Sequence, residues 1–412
     1  MSKTRLARRI LKGLAVLAML GVLGIGALFG FLWLEHRSEV ILPTPTGSFA
    51  VGRAIHDWTD PVALDTLAPV PGTKRELLVW IWYPSAAGQS VVMDDYLPAR
   101  LRPKAENSGG ANIWTLLTRD VSNVRGHSAR DPDVSPQQRS YPVVIMRAGA
   151  SASVRNYSTL AEDLASHGYV VVGFDAPYRT GLVVFPDGRV MRRTEQNNPE
   201  SCVVPDRAQM ERCLSRVMTA WTGDIAFVLR GLARLNSSDS SGKFTGRLDM
   251  TRVGVFGHSL GGAVAEQFCH EDSRCKAGID IDGAPHGSVI QAGLSQPFMF
   301  LLSDHGDASD PESIQIVSDI KSIYDRIPSD RRLHATIRGA FHFTFSDDGA
   351  LLKSGIVRGV LRMLGKLGID ARRQLAVTTY CVHSFFDAHL KGTGGSRFSI
   401  SSPLYPEIKI LE

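Results

Sequence analysis

The sequence predicts an α/β fold in which a largely parallel central sheet is covered by helices on both faces, behind an N-terminal transmembrane helix. Three observations lead to this prediction. Apolar strand-like segments alternate with helical segments from residue 77 onward. A strand–turn–helix pattern surrounds Gly257-x-Ser259-x-Gly261. A run of 22 residues without a charge, Gly13–Leu34, follows a basic N-terminus.

The composition indicates a globular chain that can bury a large core. Of its 412 residues, 43% are apolar and 21% are charged, which excludes a disordered or fibrous protein. The net charge of +5 is accounted for by the first twelve residues, which contain Lys3, Arg5, Arg8, Arg9 and Lys12. Because the remainder is formally neutral, the sequence predicts no nucleic-acid partner.

The uncharged run Gly13–Leu34 is long enough to span a membrane, since a crossing helix needs about 20 apolar residues. The basic flank before it predicts a cytoplasmic N-terminus and an exported remainder, on the periplasmic or secreted side. A cleaved signal peptide is the alternative, with small residues at Gly24–Gly26, although apolar residues continue to Leu34. A buried core helix is a third interpretation. We therefore predict residues 1–37 as basic flank and anchor.

The five cysteines fit an exported protein. Cys202 and Cys213 are 11 positions apart, and Cys269 and Cys275 are 6 apart. Close pairs form disulfides in an oxidising compartment, so two local bridges are expected. Cys381 would then remain a buried thiol. The alternative is that all five are reduced core thiols.

The rest of the chain divides into a linker and one α/β domain. Residues 38–75 show no sustained hydrophobic periodicity, so we predict a linker or strap there, followed by a domain over 76–412. Strands are expected at Leu77–Tyr83, Pro142–Met146, Tyr169–Phe174, Arg252–Phe256, Ala277–Ile281, Pro297–Leu302 and Leu333–Ile337. Helices are expected at Asn156–His167, Arg207–Leu235, Ala263–His270 and Arg372–Leu390. Irregular insertions at 84–140 and 176–206 start at the carboxyl ends of strands, where α/β sheets bind ligands. We therefore predict that they form the substrate pocket or a lid, with surface decoration as the alternative.

The most informative motif is Gly257-His258-Ser259-Leu260-Gly261-Gly262. An apolar strand precedes it and a helix-forming run follows it, which is the context of a nucleophile elbow. In such a turn the glycines let the serine project between strand and helix. The N–H of Leu260 then points to the same space as the serine oxygen and stabilises an oxyanion. The alternative is a glycine-rich turn without chemistry.

A serine nucleophile needs a base, and the base needs an acid that orients it. His342 is the best-placed base, because it follows the strand Leu333–Ile337 and gives the chain order of an α/β-hydrolase. His258 is inside the elbow and is expected to pack beside the serine, whereas His286 and His305 are alternatives.

The positions of the aspartates in the sequence do not decide which of them orients the base. Asp282 ends the first strand after the elbow helix, and Asp280 lies two positions earlier. Asp304 and Asp307 end the next strand, which is a common place for the acid of an α/β-hydrolase.

Five segments of the chain share a pattern with one family: Ile81–Pro84, Leu160–Val171, Gly257–Gly262, Gly278–Gly283 and Ile337–Asp347. They resemble segments of the plasma and intracellular type-II platelet-activating factor acetylhydrolases and their bacterial relatives, which are α/β-hydrolase esterases. The resemblance covers roughly residues 78–347. In that family the acid follows the strand after the elbow, so the resemblance implies Asp282 as the acid, with Asp304 as the alternative.

One position departs from the family pattern. The family has a His-Gly pair after the first central strand, where this chain reads Arg147-Ala148-Gly149-Ala150. The resemblance then implies the backbone N–H of Ala150 as the second oxyanion donor, because a backbone donor does not need the histidine. The family needs no metal, and no His or Cys pair shows ligand spacing in a sensible place, so neither a metal nor another cofactor is expected.

We therefore predict a membrane-anchored serine esterase. Ser259 attacks an ester carbonyl, His342 transfers the proton, Asp282 orients His342, and Leu260 and Ala150 bind the oxyanion. The predicted substrate is a short-chain or phospholipid-type acyl ester, and the membrane is the partner of the N-terminal helix. The alternatives are a dienelactone-hydrolase-like or acyltransferase activity on the same triad, and a non-catalytic anchored binding module.

Overall fold

A computed structural model of the chain describes residues 3–86, 92–103, 119–197, 199–202, 204, 206–304, 310–352, 355–365, 367–393 and 399–411. The α-helices in this part of the chain are α1 (Lys3–Arg37), α2 (Ser158–Ser166), α3 (Arg207–Ser237), α4 (Leu260–Glu271), α5 (Val289–Ala292), α6 (Pro311–Arg326), α7 (Gly355–Met363) and α8 (Ala371–Leu390). The strands are β1 (Val40–Ile41), β2 (Ala50–Leu64), β3 (Lys74–Ser85), β4 (Met93–Asp95), β5 (Val124–Arg130), β6 (Tyr141–Arg147), β7 (Val170–Asp175), β8 (Leu182–Val184), β9 (Val190–Arg192), β10 (Leu248–His258), β11 (Cys275–Ile281), β12 (Phe298–Leu302), β13 (Arg332–Ile337) and β14 (Ile408–Leu411).

One twisted sheet organises these elements, with strand order β1-β5-β2-β3-β7-β6-β10-β11-β12-β13-β14 and β4 beside β5. The six strands from β7 to β13 in this order are mutually parallel. Strands β2, β3 and β14 join as antiparallel neighbours. Because the central strands are parallel, their carboxyl ends lie at one edge of the sheet, where ligands bind in α/β proteins.

Helices cover both faces of the sheet, and the side chains of β6 alternate between the two layers. Val143 and Ile145 face the core that includes α3 and α4. Val144 and Met146 face the core that includes α2 and α8. Burial on both faces explains why the central strands are continuous apolar runs. The predicted α/β architecture is confirmed, and each of the seven predicted strands and four predicted helices overlaps an observed element.

The linker predicted for residues 38–75 is wrong over β2, which pairs with β3 and β5 inside the sheet. The pattern of β2 is hard to recognise because Arg53 interrupts its apolar face. That side chain is buried and forms an ion pair of 2.7 Å with Asp94. Part of the insertion 84–140 likewise joins the sheet edge as β4 and β5.

Both predicted disulfides are confirmed. Cys202–Cys213 joins the turn before α3 to that helix, and Cys269–Cys275 joins the end of α4 to β11. Cys381 is a buried free thiol on α8, and burial raises its pKa well above the usual range.

The predicted apolar helix is present as α1. The most apolar 18-residue window of its segment Arg8–Arg37 has a mean hydropathy of 2.4 and is not buried against the rest of the chain, so the helix is long and apolar enough to cross a membrane. The same length and composition also fit a signal sequence. The end of α1 meets the body directly, since the Asp120 N–H donates to the His36 carbonyl at 2.9 Å.

Candidate active site

Ser259 lies in a sharp turn between β10 and α4 at the carboxyl edge of the sheet. Its backbone has φ 57° and ψ −130°, a conformation that a non-glycine residue adopts only where the surroundings enforce it. The Ser259 N–H donates to Ile281 O at 2.8 Å, and Ser259 O accepts from the Gly262 N–H at 2.8 Å. These bonds lock the turn, which has the strand–turn–helix geometry of a nucleophile elbow.

The turn requires glycine at two positions of the motif. A Cβ on Gly257 would lie 2.1 Å from Gly261 O, and a Cβ on Gly261 would lie 2.3 Å from Arg147 O. A real Cβ atom cannot come so close to another atom, and both of these atoms belong to the backbone, which cannot move aside easily. The motif glycines therefore let β10, β6 and the start of α4 meet closely around Ser259.

His342 faces Asp282 across the same edge. The imidazole Nδ1 of His342 lies 2.7 Å from Asp282 Oδ2. The carboxylate is almost fully buried and is further held by Ser303, whose N–H donates to Oδ1 and whose hydroxyl donates to Oδ2, both at 2.8 Å. His342 stays partly exposed, with 29% of its side chain accessible. This arrangement directs the Nδ1 proton toward Asp282 and leaves Nε2 as the acceptor.

The other candidates occupy different positions. Asp304 accepts a hydrogen bond from the Gly339 N–H at 2.9 Å through Oδ2, and its side chain is exposed. His286 is partly buried after β11, where desolvation lowers its pKa. His305 and Asp307 lie outside the described residues.

His258 packs beside His342, with ring centroids 4.6 Å apart. It is buried, and desolvation followed by the proximity of His342 lowers its pKa to about 3, so the ring is neutral at neutral pH. The hydroxyl of Tyr157 accepts from the Gly149 N–H at 3.3 Å and lies 2.8 Å from His258 Nδ1. The Tyr157 hydroxyl thus connects the loop at Gly149 to the His258 ring.

The loop after β6 reaches Ser259. A Cβ on Gly149 would lie 3.2 Å from Ser259 Cβ, so this loop runs directly beside Ser259. Ala150 follows and is exposed, whereas Leu260 is buried at the first position of α4. Two backbone segments that carry predicted oxyanion donors therefore border the serine.

Ala148, directly before Gly149, stands where the resembled family has histidine, and its side chain is buried. The neighbouring Arg147 turns away from this loop. Its guanidinium stacks on Trp221 at 4.0 Å and lies 3.8 Å from Asp224. Burial lowers its pKa to about 10. The side chain thus belongs to the core, and only the backbone of this segment faces the site.

Two buried carboxyl groups lie under the elbow. Asp280 and Glu266 have no exposed surface, and Asp280 Oδ1 accepts from the Gly283 N–H at 2.9 Å. Burial raises the pKa of Asp280 to about 8 and that of Glu266 well above its usual range, the latter also because Asp280 lies next to it. A carboxyl pair in such a place shares protons. The sequence alone gave no role to Glu266. The signal that could have identified it is a glutamate within a helix of mostly small, apolar residues.

The second insertion also borders the loop after β6. It contains the hairpin β8–β9, and Thr180 forms a parallel bridge with Ser151. Arg193, directly after β9, donates to the Ser151 hydroxyl. The insertion 176–206 therefore brings a cation to the residue that follows Ala150. Sequence reasoning gave no role to Arg193 or Tyr157, because both reach the site through tertiary contacts.

Residues suited to hold a metal ion lie elsewhere. In the described part of the chain, Asp163, His167 and His383 form such a group, and none of them belongs to the site around Ser259.

Comparisons with known proteins agree on one family. The family model described as platelet-activating factor acetylhydrolase, isoform II, matches residues 35–179 and 204–393. A probable 1-alkyl-2-acetylglycerophosphocholine esterase of Arthroderma benhamiae is 25% identical over 400 residues, covering 91% of this chain and 95% of that protein.

The platelet-activating factor acetylhydrolase of Cavia porcellus is 25% identical over 255 residues, which cover 57% of this chain and 55% of that protein. The corresponding dog enzyme is 26% identical over 268 residues, which cover 61% and 57%. The chain thus spans a little over half the length of these mammalian relatives.

A solved structure also matches most of the chain. A ferulic acid esterase from Streptomyces cinnamoneus superimposes with a TM-score of 0.70 at 25% identity, covering 91% of this chain and all of that one. The predicted α/β-hydrolase fold is confirmed by this match.

Proposed function

The chain belongs to the platelet-activating factor acetylhydrolase isoform II family and is a carboxylic ester hydrolase, and from that premise we propose that Ser259, His342 and Asp282 form its catalytic triad. The observation that carries the proposal is the 2.7 Å contact between His342 Nδ1 and Asp282 Oδ2 at the same sheet edge as the strained Ser259 turn.

In this proposal His342 acts as base and then as acid. Its Nδ1 is engaged by Asp282, so Nε2 takes the proton of Ser259 as the hydroxyl oxygen attacks the ester carbonyl carbon. Collapse of the tetrahedral intermediate breaks the ester C–O bond, and the imidazolium returns the proton to the leaving alcohol. Water activated by Nε2 then cleaves the acyl–serine ester and releases the acid.

The backbone around Ser259 supplies the rest of the machinery. The N–H groups of Leu260 and Ala150 stabilise the negative charge on the carbonyl oxygen in each tetrahedral intermediate. The neutral state of His258 matters here, because its ring centroid is 4.6 Å from that of His342. A charged His258 would repel the imidazolium that forms on His342.

We further propose that the substrates are short-chain acyl esters, including those of phospholipids. The named relatives act on acetyl esters of glycerophosphocholine lipids, which supports this class. Phe343, 64% exposed beside His342, offers apolar surface next to the proposed catalytic centre. Arg193 supplies a positive charge at Ser151, the residue that follows Ala150.

A panel of p-nitrophenyl esters of rising acyl length, a short-chain oxidised phospholipid and methyl ferulate tests this proposal. We expect turnover to be fastest on the shortest acyl groups and to include the phospholipid. Preference for methyl ferulate would instead favour the substrate in the name of the structural neighbour, and transfer to an added alcohol would indicate an acyltransferase. Absence of turnover on every ester would refute the assignment.

We also propose that α1 anchors the enzyme with the hydrolase domain outside the cytoplasm. The basic flank and the two disulfides support this orientation. The full chain is then expected in the membrane fraction, with its domain open to an added protease in spheroplasts. A soluble protein whose mature N-terminus lies near Ala27 would identify α1 as a cleaved signal sequence instead.

A further inference from the structure

A cluster of two histidines and one aspartate lies apart from the proposed triad, at the opposite end of α2 from Tyr157. Asp163 and His167 are one helical turn apart at the end of α2, and His383 faces them from α8. One nitrogen or oxygen atom from each of the three side chains lies within 4.8 Å of the others. Asp163 and His383 are 220 positions apart in the chain, so this group is invisible to a search for closely spaced ligands.

The donor atoms of the cluster are held by hydrogen bonds to one another and to Thr46. The Thr46 hydroxyl donates to Asp163 Oδ1 and lies 2.9 Å from His167 Nε2, so Nε2 donates to that hydroxyl. Its lone pair becomes available to an ion when the proton moves to Nδ1. Two imidazoles and one carboxylate are a donor set that Zn²⁺ takes with water as fourth ligand.

The carboxylate is already oriented for this role. Asp163 Oδ1 accepts from the N–H of Thr46 at 2.9 Å and from its hydroxyl at 2.8 Å. Oδ2 therefore faces the two rings, 2.9 Å from His383 Nδ1 and 3.9 Å from His167 Nε2. Backbone and hydroxyl support of a ligating carboxylate is what metal sites use to fix ligand direction.

The charges around the cluster leave room for a cation. Lys391 is a positive group beside the cluster and donates to the carbonyl of His167. Its charge is balanced by Asp387 at 2.8 Å. The side chain of His167 is 22% exposed, which gives an ion and its water ligand a route to the cluster.

We propose that Asp163, His167 and His383 bind a divalent transition-metal ion, with Zn²⁺ as the best-matched species. The ion takes the place of the hydrogen bond between His383 Nδ1 and Asp163 Oδ2, and the His383 proton moves to Nε2. The two rings are now stacked with centroids 4.0 Å apart, so one ring turns to aim its lone pair at the ion.

The proposed ion would fasten the N-terminal arm, residues 43–49, to the body. Thr46 holds the ligating carboxylate, the Gly47 N–H donates to the Ser166 hydroxyl at 2.9 Å, and the Phe49 N–H donates to Ser166 O at 2.9 Å. The arm leads from β1 to β2, and these bonds attach it to the end of α2.

The test uses the full chain in detergent, free of a polyhistidine tag and stripped with EDTA, titrated with Zn²⁺ by calorimetry. We expect one tight equivalent, with a Kd below about 10 µM, and a rise in Tm. His383→Gln and Asp163→Asn should each weaken binding at least tenfold, while ester hydrolysis by the folded variants stays near the wild-type rate. His389→Gln on the same helix is the matched control and should bind Zn²⁺ normally.

Hydrogen exchange tests the second part of the proposal. Zn²⁺ should slow exchange of the Thr46 and Gly47 amides in the wild type and leave it unchanged in His383→Gln. If His383→Gln does not fold, His167→Gln at the exposed side of the cluster replaces it. Absence of a stoichiometric Zn²⁺ equivalent, or binding that survives both histidine substitutions, would overturn the proposal and leave two stacked histidines that hydrogen-bond to Asp163 and Thr46.

Discussion

The carboxylate of Asp282 contacts the imidazole of His342 from a backbone with φ 54°, a left-handed conformation at the end of β11. The Asp282 N–H donates to Leu301 O at 3.0 Å, and Ser303 binds both carboxylate oxygens. The strained residue is thus fixed by β12, and its side chain points at His342 rather than along the strand. Asp304, two residues after β12, bonds to the backbone of Gly339 instead.

Asp282→Asn is expected to lower kcat by several orders of magnitude, because an amide neither stabilises the imidazolium nor selects the right tautomer. Loss of about 10⁴-fold is typical of such a change in a triad. Asp304→Asn is the matched control and should lose far less. Kinetics at equal folded concentration, judged by thermal melts, check both variants. An inactive Asp304→Asn beside an active Asp282→Asn would assign the acid to the later strand.

Tyr157→Phe should lower kcat about tenfold with little change in KM. The hydroxyl joins the Gly149 N–H to His258, so its loss loosens the loop that carries Ala150. The effect should stay below the roughly 10²–10³-fold cost of losing an oxyanion donor itself. Tyr380→Phe on α8 is the control. A drop in Tm with unchanged kcat would show that Tyr157 only supports packing.

Glu266→Gln should flatten the dependence of stability on pH. The pKa values of Glu266 and Asp280 are raised in the folded state, so the folded protein holds protons that the unfolded chain has lost. Their contribution is complete below the unfolded pKa near 4 and is lost as pH rises through the folded pKa of Asp280, about 8. Each proton involved changes the free energy of unfolding by about 1.4 kcal/mol per pH unit.

Thermal melts from pH 5 to 9 measure this effect. The wild type should lose Tm toward high pH, and Glu266→Gln should lose less because one titrating carboxyl is gone. Glu271→Gln, exposed on the same helix, should behave like the wild type. Parallel curves for wild type and Glu266→Gln would contradict a proton held between Glu266 and Asp280.

Much of the fold could be predicted because the parallel strands are buried on both faces, which makes β6, β7, β12 and the second half of β10 nearly continuous hydrophobic runs. Strand β2 was missed for the opposite reason. It lies outside the parallel core, one side of it is partly exposed, and its buried face includes Arg53. The strand can bury Arg53 because Asp94, from another segment of the chain, forms an ion pair with it. The sequence around Arg53 does not reveal that contact.

The candidate site shows the same difference between features set by local sequence and features set by distant contacts. The position of Ser259 could be predicted because strand, turn and helix are adjacent in sequence. The choice between Asp282 and Asp304 could not be made from spacing, since both follow consecutive parallel strands that end at one edge. Tyr157, Glu266 and Arg193 depend on contacts between distant segments. The hydrogen bond between Tyr157 and His258, for example, joins positions 101 apart.

The most direct test of the account is whether Ser259 is the nucleophile. A fluorophosphonate probe reacts with an activated serine, so mass spectrometry should find one adduct, on the peptide that carries Ser259. Ser259→Ala should lose the adduct and about 10⁴-fold or more of its ester hydrolysis while it still folds. Ser215→Ala, exposed on α3, should keep both. A folded Ser259→Ala that retains a tenth of wild-type turnover, or an adduct on another serine, would contradict the account.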